Sequence, residues 1–148
     1  MTQPVHHATY PLHEQPMIRV SLMPRDTNAL GTIFGGVILS YIDQAAAIKA
    51  QELHPRKLVT VAMDQIEFKQ PVFVGDLVSF FAGIEHVGRT SIRVVVSVWA
   101  QRAADRDQYV PVTEAAVTLV AVDDQLRPTP VLRPPAKGAG GTQRAKKT

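Results

Sequence analysis

The chain has 148 residues, 45% of them hydrophobic and 20% charged, which is typical of one globular domain that buries its own core. It contains no cysteine, which excludes thiol nucleophiles, disulfides and thiolate metal sites. The net charge of +3 arises from residues 128–148, which carry five basic residues and no acidic one, so that residues 1–127 carry −2.

The two ends of the chain differ from the middle in composition. Residues 1–16 are polar and interrupted by proline, which predicts a flexible N-terminal segment without a signal peptide. Residues 128–148 are rich in proline, glycine and threonine, which predicts a basic disordered tail that is solvated and binds no nucleic acid. No stretch of the sequence approaches the length of a membrane span. We therefore expect no membrane partner and a cytoplasmic location.

The first predicted elements are a short strand, a loop and a long helix. Alternating apolar residues indicate a strand over Met17–Met23, and turn-forming residues indicate a loop over Pro24–Thr32. Thr32 is the expected N-cap of a helix over Ile33–Leu53. The helix is expected to end before Pro55, because the residue preceding a proline disfavours the helical region.

The predicted helix is apolar around most of its circumference, which indicates that it is buried. One stripe at helical spacing holds small residues and a single ionisable group, in the order Gly36, Ser40, Asp43, Ala47. A carboxylate on a buried helix rarely lacks a partner or a task. Asp43 is therefore the leading candidate for a functional side chain.

Four more strands are predicted after the helix from alternating and β-branched residues: Leu58–Phe68, Leu77–Val87, Thr90–Gln101 and Val110–Val122. The short joins between them predict that consecutive strands pair in antiparallel fashion. One long apolar helix and such strands predict an α+β domain in which a curved antiparallel sheet wraps the helix. A single sheet leaves an edge and an apolar flank, which predicts a dimer or a larger assembly.

Six motifs stand in order between residues 17 and 125: Met23-Pro24-Arg25-Asp26-Thr27-Asn28-Ala29, Phe34-Gly35-Gly36, Ile42-Asp43-Gln44-Ala45-Ala46, Val59-Thr60-Val61-Ala62, Pro71-Val72-Phe73-Val74-Gly75-Asp76 and Gly88-Arg89-Thr90-Ser91. Together they resemble the hotdog-fold acyl-CoA thioesterases, specifically the bacterial YciA-like acyl-CoA hydrolases. The resemblance implies a hotdog thioesterase domain over residues 17–127 that hydrolyses an acyl-CoA thioester to CoA and a carboxylic acid. It also implies a homodimer with active sites at its interface and a homohexamer built as a trimer of dimers. We expect no cofactor.

By resemblance, Asp43 is the catalytic carboxylate, acting either as a general base toward water or as a nucleophile on the thioester. Gly35 and Gly36 fall in the first helical turn, where backbone N–H groups lack intrahelical partners and suit an oxyanion. These glycines would otherwise permit close helix–sheet packing. Asn28 either orients the water or the thioester, or satisfies the backbone of its own loop.

The segment Gly88-Arg89-Thr90-Ser91 lies between two predicted strands. The Arg89 guanidinium suits a phosphate, and the hydroxyls of Thr90 and Ser91 add donors. By resemblance this segment contacts the phosphate or pantetheine part of CoA, whereas spacing alone favours an ordinary hairpin. The five histidines show no metal-ligand spacing, so no metal site is predicted.

Two other functions fit the predicted fold. A hydroxyacyl dehydratase or hydratase pairs a histidine with an acidic residue, and no histidine lies near the start of the helix that carries Asp43. A non-catalytic module that senses acyl-CoA would have no need for Asp43. Thiol release from acyl-CoA distinguishes the thioesterase from the sensor.

Overall fold

A computed structural model of the chain describes residues 7–54 and 56–131. These residues form one α-helix, α1 (Gly35–Gln51), and five strands, β1 (Ile18–Ser21), β2 (Leu58–Phe68), β3 (Leu77–Val87), β4 (Ser91–Gln101) and β5 (Tyr109–Ala121). Residues 1–6 of the predicted N-terminal segment and residues 132–148 of the predicted basic tail lie outside the described part of the chain.

The five strands form one antiparallel sheet in the order β1-β3-β4-β5-β2, and α1 packs against it. Valines of β4 and β5 supply much of the core. Successive side chains of a strand alternate between the two faces of the sheet, so every second residue can face α1. The predicted α+β architecture, a long helix against an antiparallel sheet, is confirmed.

The pairing predicted for β2 is wrong. β2 pairs with β5 rather than with its successor β3, so residues 69–76 cross the end of the sheet instead of forming a hairpin. If β2 paired with β3, β5 would lie at the edge of the sheet. Pairing with β5 instead puts β1 and β2, the strands that flank α1 in sequence, at opposite edges of the sheet.

The helix begins two residues later than predicted, and Thr32 is not its N-cap. Phe34 occupies that position without a side-chain cap, and its N–H donates to the carbonyl of Asp26. The Thr32 hydroxyl instead accepts a hydrogen bond from Asn28 Nδ2. One face of α1 is buried against the sheet (Ile38, Ile42, Ala45, Ala46 and Ala50), whereas Phe34 and Ile48 are exposed.

Aromatic residues cover the face of the sheet opposite to α1. Tyr10 stacks on Tyr109 with a centroid distance of 4.1 Å and meets Trp99 and Phe81 edge to face. Trp99 is consequently only 5% exposed. These contacts give residues of the N-terminal segment a packing role that their composition did not lead us to expect.

A buried ion pair fixes the crossing segment between β2 and β3. Asp76, 2% exposed, accepts hydrogen bonds from the backbone N–H groups of Phe73 and Ala103 and from Arg102 Nη1 at 2.8–2.9 Å. Arg102 Nη1 also donates to the carbonyl of Pro71, and its guanidinium lies over the Phe73 ring. The segment is therefore tied to the β4–β5 connection at several points.

His54, at the end of the helical region, links stability to pH. It is 1% exposed, and burial, followed by the nearby charge of Arg56, lowers its pKa below the ordinary 6.5. Because the pKa is lower in the native state than in the unfolded chain, His54 contributes stability that is fully present above pH 6.5. This stability is lost as the pH falls through the lowered native-state pKa. We expect the melting temperature to fall between pH 7.5 and 5.0, and to fall less steeply in His54→Gln. Equal slopes for the two proteins, measured by circular dichroism, would contradict this prediction.

Candidate active site

Among the described residues, the carboxylate of Asp43 has one side-chain partner, which belongs to the sheet. Asp43 lies in the middle of α1, where it is half-buried, and Thr60 Oγ1 donates a 2.6 Å hydrogen bond to its Oδ1. No other side-chain hydrogen bond to Asp43 occurs among the described residues, which leaves Oδ2 available to a substrate or a water. The bond holds the carboxylate against the edge strand β2.

Thr60 was not among the predicted site residues. Its register explains its position, because the pairing of β2 with β5 shifts between Thr60 and Ala62. Such a bulge adds one residue to a strand and redirects the neighbouring side chains. Bulges are common beside active sites. The only signal in the sequence is the motif Val59-Thr60-Val61-Ala62, which carries a hydroxyl on an otherwise apolar stretch.

Gly35 and Gly36 begin α1, but they differ in their surroundings. A Cβ built on Gly35 would lie 3.2 Å from the ring of Phe68, so this glycine permits close packing. A Cβ on Gly36 would meet no atom within 4 Å. Neither amide has a backbone partner within residues 7–54 and 56–131, as expected in the first turn of a helix. Packing thus explains the glycine at 35 but not the one at 36.

The helix geometry separates these amides from the carboxylate. Gly36 and Asp43 are seven residues apart, which is roughly 10 Å along an α-helix. A water held by Asp43 and a carbonyl oxygen held by the Gly36 amide would have to be within about 3 Å of the same carbon. Within one chain the amide of Gly36 and the carboxylate of Asp43 are thus separated by about two helical turns.

Asn28 holds the turn that leads into α1. Its Oδ1 accepts from the N–H groups of Leu30 and Thr32, and its Nδ2 donates to the Thr32 hydroxyl at 2.8 Å. Gly31, with a φ of 81°, completes the turn in a conformation that favours glycine. Asn28 was predicted either to orient the water or the thioester or to satisfy the backbone of its own loop, and these bonds support the second hypothesis. One Nδ2 hydrogen remains to donate elsewhere.

The Gly88–Ser91 segment is the turn between β3 and β4. Gly88 N donates to the carbonyl of Ser91, and the carbonyls of Arg89 and Thr90 accept from residues Val131 and Ala121. The Arg89 side chain is exposed and forms no ion pair with any described residue. Its guanidinium is therefore free to bind an anion.

The turn and the carboxylate lie at the same end of the sheet. Ser91 pairs with Val120, which pairs with Val59, the neighbour of Thr60. Two strand spacings amount to roughly 10 Å. The structure thus brings Asp43, Thr60 and the Gly88–Ser91 turn to one region, and places Gly35 and Gly36 in another.

The edge strand β2 is open and apolar. No strand pairs with its outer side among the described residues, and several of its large apolar side chains are exposed: Val59, Val61, Ile66 and Phe68. An unpaired edge strand of eleven residues with exposed apolar side chains is a template for pairing with another chain. This edge carries Thr60 at one end and Phe68 at the other.

A cavity of about 340 Å³ opens beside the start of α1. Most of its lining is apolar, and Gly35 forms part of the wall. The full lining is Ile33, Gly35, Ile38, Phe68, Lys69, Gln70, Pro71, Val72 and Val112. The volume lies within the range of small-molecule sites.

The described residues contain no group of three or more histidine and acidic side chains arranged to hold a metal ion. None of their helices has the length and apolar character needed to cross a membrane.

Comparison with known proteins places these features in a family. The thioesterase superfamily matches residues 30–105. The acyl-CoA thioester hydrolase YciA of Escherichia coli K12 is 39% identical over 114 residues, covering 76% of this chain and 86% of YciA. A hexameric hotdog-fold thioesterase of Campylobacter jejuni has a TM-score of 0.75 at 45% identity, over 80% of this chain and 91% of the other.

A third relative has been solved with ligands. The acyl-CoA hydrolase of Staphylococcus aureus, in complex with butyryl-CoA, CoA and CoA disulfide, has a TM-score of 0.71 at 29% identity, over 78% of this chain and 70% of the other. The Escherichia coli and Campylobacter jejuni relatives match 76% and 80% of this chain, respectively. The chain therefore belongs to the thioesterase superfamily, among the hotdog-fold, YciA-like acyl-CoA thioester hydrolases.

Proposed function

We propose that this protein hydrolyses acyl-CoA thioesters, with Asp43 as general base. The observation that carries the proposal is the 2.6 Å hydrogen bond from Thr60 to Asp43 Oδ1. It fixes the carboxylate and leaves Oδ2 to accept a proton. The names of the relatives from Escherichia coli and Staphylococcus aureus support the substrate class.

The reaction follows from this geometry. Oδ2 of Asp43 takes a proton from a water whose oxygen attacks the thioester carbonyl carbon. The tetrahedral intermediate carries its negative charge on the former carbonyl oxygen, where backbone N–H groups stabilise it. The C–S bond then breaks, and the departing thiolate of CoA receives the proton from Asp43.

The oxyanion donors come from a second copy of the chain. When β2 pairs antiparallel with β2 of that copy about a two-fold axis near the strand centre, the Thr60 end of one strand lies opposite the Phe68 end of the other. Phe68 packs on Gly35 of its own protomer. The amide of Gly36 in one copy therefore approaches Asp43 of the other, which removes the 10 Å separation within each protomer.

The turn at Gly88–Ser91 is proposed to bind the CoA part of the substrate. Arg89 is exposed and without an ion pair among the described side chains, which suits a phosphate. Asn28 supports the turn before α1, and we propose that its remaining Nδ2 hydrogen donates to the thioester. Pairing through β2 gives the homodimer, and the hexameric relative of Campylobacter jejuni supports a homohexamer, a trimer of such dimers.

The test is complementation between two inactive variants in a thiol-release assay. Asp43→Ala removes the base, and Gly36→Val blocks the amide at a position where the fold tolerates a side chain. Each variant alone is expected to lose activity. In mixed oligomers one of the two sites of every heterodimer has both intact halves, so co-expression restores about a quarter of the wild-type rate.

Three results decide the outcome. Wild-type protein that releases no thiol from any acyl-CoA would overturn the proposed hydrolase and favour a sensor. Wild-type activity without complementation, in samples whose mixed oligomers are confirmed by native mass spectrometry, would overturn the shared site. Restored activity supports both.

A further inference from the structure

The edge strand β2 has two irregularities in its pairing with β5. Thr60 and Ala62 pair with consecutive residues of β5, so that Val61 is one extra residue. Asp64 and Glu67 pair with residues of β5 that are two positions apart, so that a second extra residue lies between them. Each irregularity is a β-bulge, which bends an edge strand and makes it a poor template for a regular strand.

The second bulge has an unusual backbone conformation. Gln65 has a φ of 56°, in the left-handed region that residues other than glycine seldom adopt. The residue lies within a strand, and its side chain is exposed, so packing in the core does not account for the conformation. Residues in such conformations cluster at functional regions, where the surrounding structure maintains them.

The two bulges are placed symmetrically about Met63. Val61 lies two residues before it and Gln65 two residues after it, and Met63 is also the middle residue of β2. When two copies of this strand pair antiparallel about a two-fold axis at Met63, Val61 of one copy lies opposite Gln65 of the other. Each bulge then faces a bulge, and the extra residues leave the register between the two copies unbroken.

We propose that these matched bulges fix the register in which β2 binds β2 of a second copy, with Met63 on the two-fold axis. The inference rests on the proposed function, since the shared active site requires one particular register. A slip by two residues moves one strand by about 7 Å along the other. Such a slip separates Asp43 of one copy from the Gly36 amide of the other and also places each bulge against regular strand.

The side chains of β2 specify the register only weakly, which gives the bulges their importance. Apart from Leu58 and Met63, which are half-buried, the residues of this strand are exposed. A strand in which neither face is firmly buried is prone to slip against its neighbour. A bulge is a feature of the backbone, and it selects one alignment whatever the exposed side chains are.

The charges near the axis are compatible with this register. Asp64 of one copy lies opposite Ala62 of the other, which makes the two Asp64 side chains diagonal neighbours across the axis. Within each protomer Arg93 donates two hydrogen bonds to Asp64, at 2.8 and 3.1 Å. Each carboxylate is therefore already paired with a cation, and the repulsion between the two copies is weakened.

Disulfide trapping tests the register, because the chain contains no cysteine. Directly opposed residues of an antiparallel pair have Cα atoms about 4.5–5.5 Å apart, which a disulfide can bridge. Met63→Cys is therefore expected to give a covalent dimer on mild oxidation, visible on a non-reducing gel. Val61→Cys and Gln65→Cys are each expected to give none, because two copies of either residue lie about 13 Å apart. When these two variants are co-expressed, the covalent heterodimer is expected.

A control and a second set of variants complete the test. Ser21→Cys places an exposed thiol on β1, at the opposite edge of the sheet, and is expected to give no covalent dimer. Gln65→Gly adopts a positive φ readily and is expected to keep the dissociation constant of the dimer. Gln65→Val has a branched side chain that disfavours this conformation, and is expected to raise that constant at least about tenfold. Analytical ultracentrifugation measures both constants.

Each outcome decides one point. Trapping of Val61→Cys or Gln65→Cys with a second copy of itself would overturn this register. Dimers in solution without trapping at any of the three positions would overturn pairing through β2. Equal dissociation constants for Gln65→Gly and Gln65→Val would overturn the role of the bulge. The expected trapping pattern in a protein whose wild type releases no thiol would overturn the hydrolase and leave the register intact.

Discussion

Replacing Asp43 with asparagine is expected to lower kcat for acyl-CoA hydrolysis by about two to four orders of magnitude, with a small change in KM. Asparagine has nearly the same shape and still accepts the hydrogen bond from Thr60, but it cannot take a proton from water. The loss therefore falls on the chemical step rather than on binding. Steady-state thiol release and the melting temperature, measured on the same preparations, check the prediction.

Thr60 supplies the matched control for this experiment. Thr60→Val removes the hydroxyl without changing the shape of the side chain, and is expected to lower kcat less than Asp43→Asn does. Thr60→Ser keeps the donor and is expected to restore most of the rate, as befits a positioning residue. Retention of more than about a tenth of the wild-type kcat by Asp43→Asn would rule out its role as the base.

Replacing Asp76 with alanine is expected to lower the free energy of unfolding by about 3–5 kcal/mol. The substitution leaves the Arg102 guanidinium, whose side chain is only 12% exposed, without its ionic partner. It also leaves the backbone N–H groups of Phe73 and Ala103 without acceptors. Urea denaturation followed by circular dichroism measures the change.

An exposed ion pair provides the comparison. Asp64 accepts two hydrogen bonds from Arg93, which lowers the pKa of its carboxyl, but it is exposed. Asp64→Ala is therefore expected to change stability much less than Asp76→Ala, because solvent screens exposed charges. Losses of similar size for the two variants would show that burial does not govern the contribution of Asp76.

The strands and their limits were largely predictable from the sequence. The predicted bounds of β2 and β3 match the structure, because alternating β-branched residues stop at clusters of turn formers. The start of α1 was misplaced because Thr32 is a good N-cap by type, yet its hydroxyl is already bonded to Asn28.

Pairing across long stretches of sequence was not predictable in the same way. The β2–β5 ladder joins residues between 45 positions apart, at Phe68 and Thr113, and 63 positions apart, at Leu58 and Ala121. The local alternation of apolar residues is the same whichever neighbour a strand has. Only the need to wrap the helix with one continuous sheet selects the partner.

The candidate site was partly predictable for a similar reason. Asp43 was identifiable because a lone carboxylate is conspicuous on an apolar helix. Its partner Thr60 was not, since the contact spans a loop and depends on a bulge. The two glycines look alike in sequence, and only the ring of Phe68 beside Gly35 distinguishes a packing role from an unexplained one.

Under the proposed pairing of two copies through β2, catalysis depends on the abundance of the protein itself. If each active site takes its base from one chain and its amides from another, an isolated chain contains no complete active site. Dilution below the dissociation constant of the pair then silences the enzyme without unfolding it. Turnover per chain rises with expression level until every chain is part of a dimer. The total rate of thioester hydrolysis therefore increases more steeply than the number of molecules made.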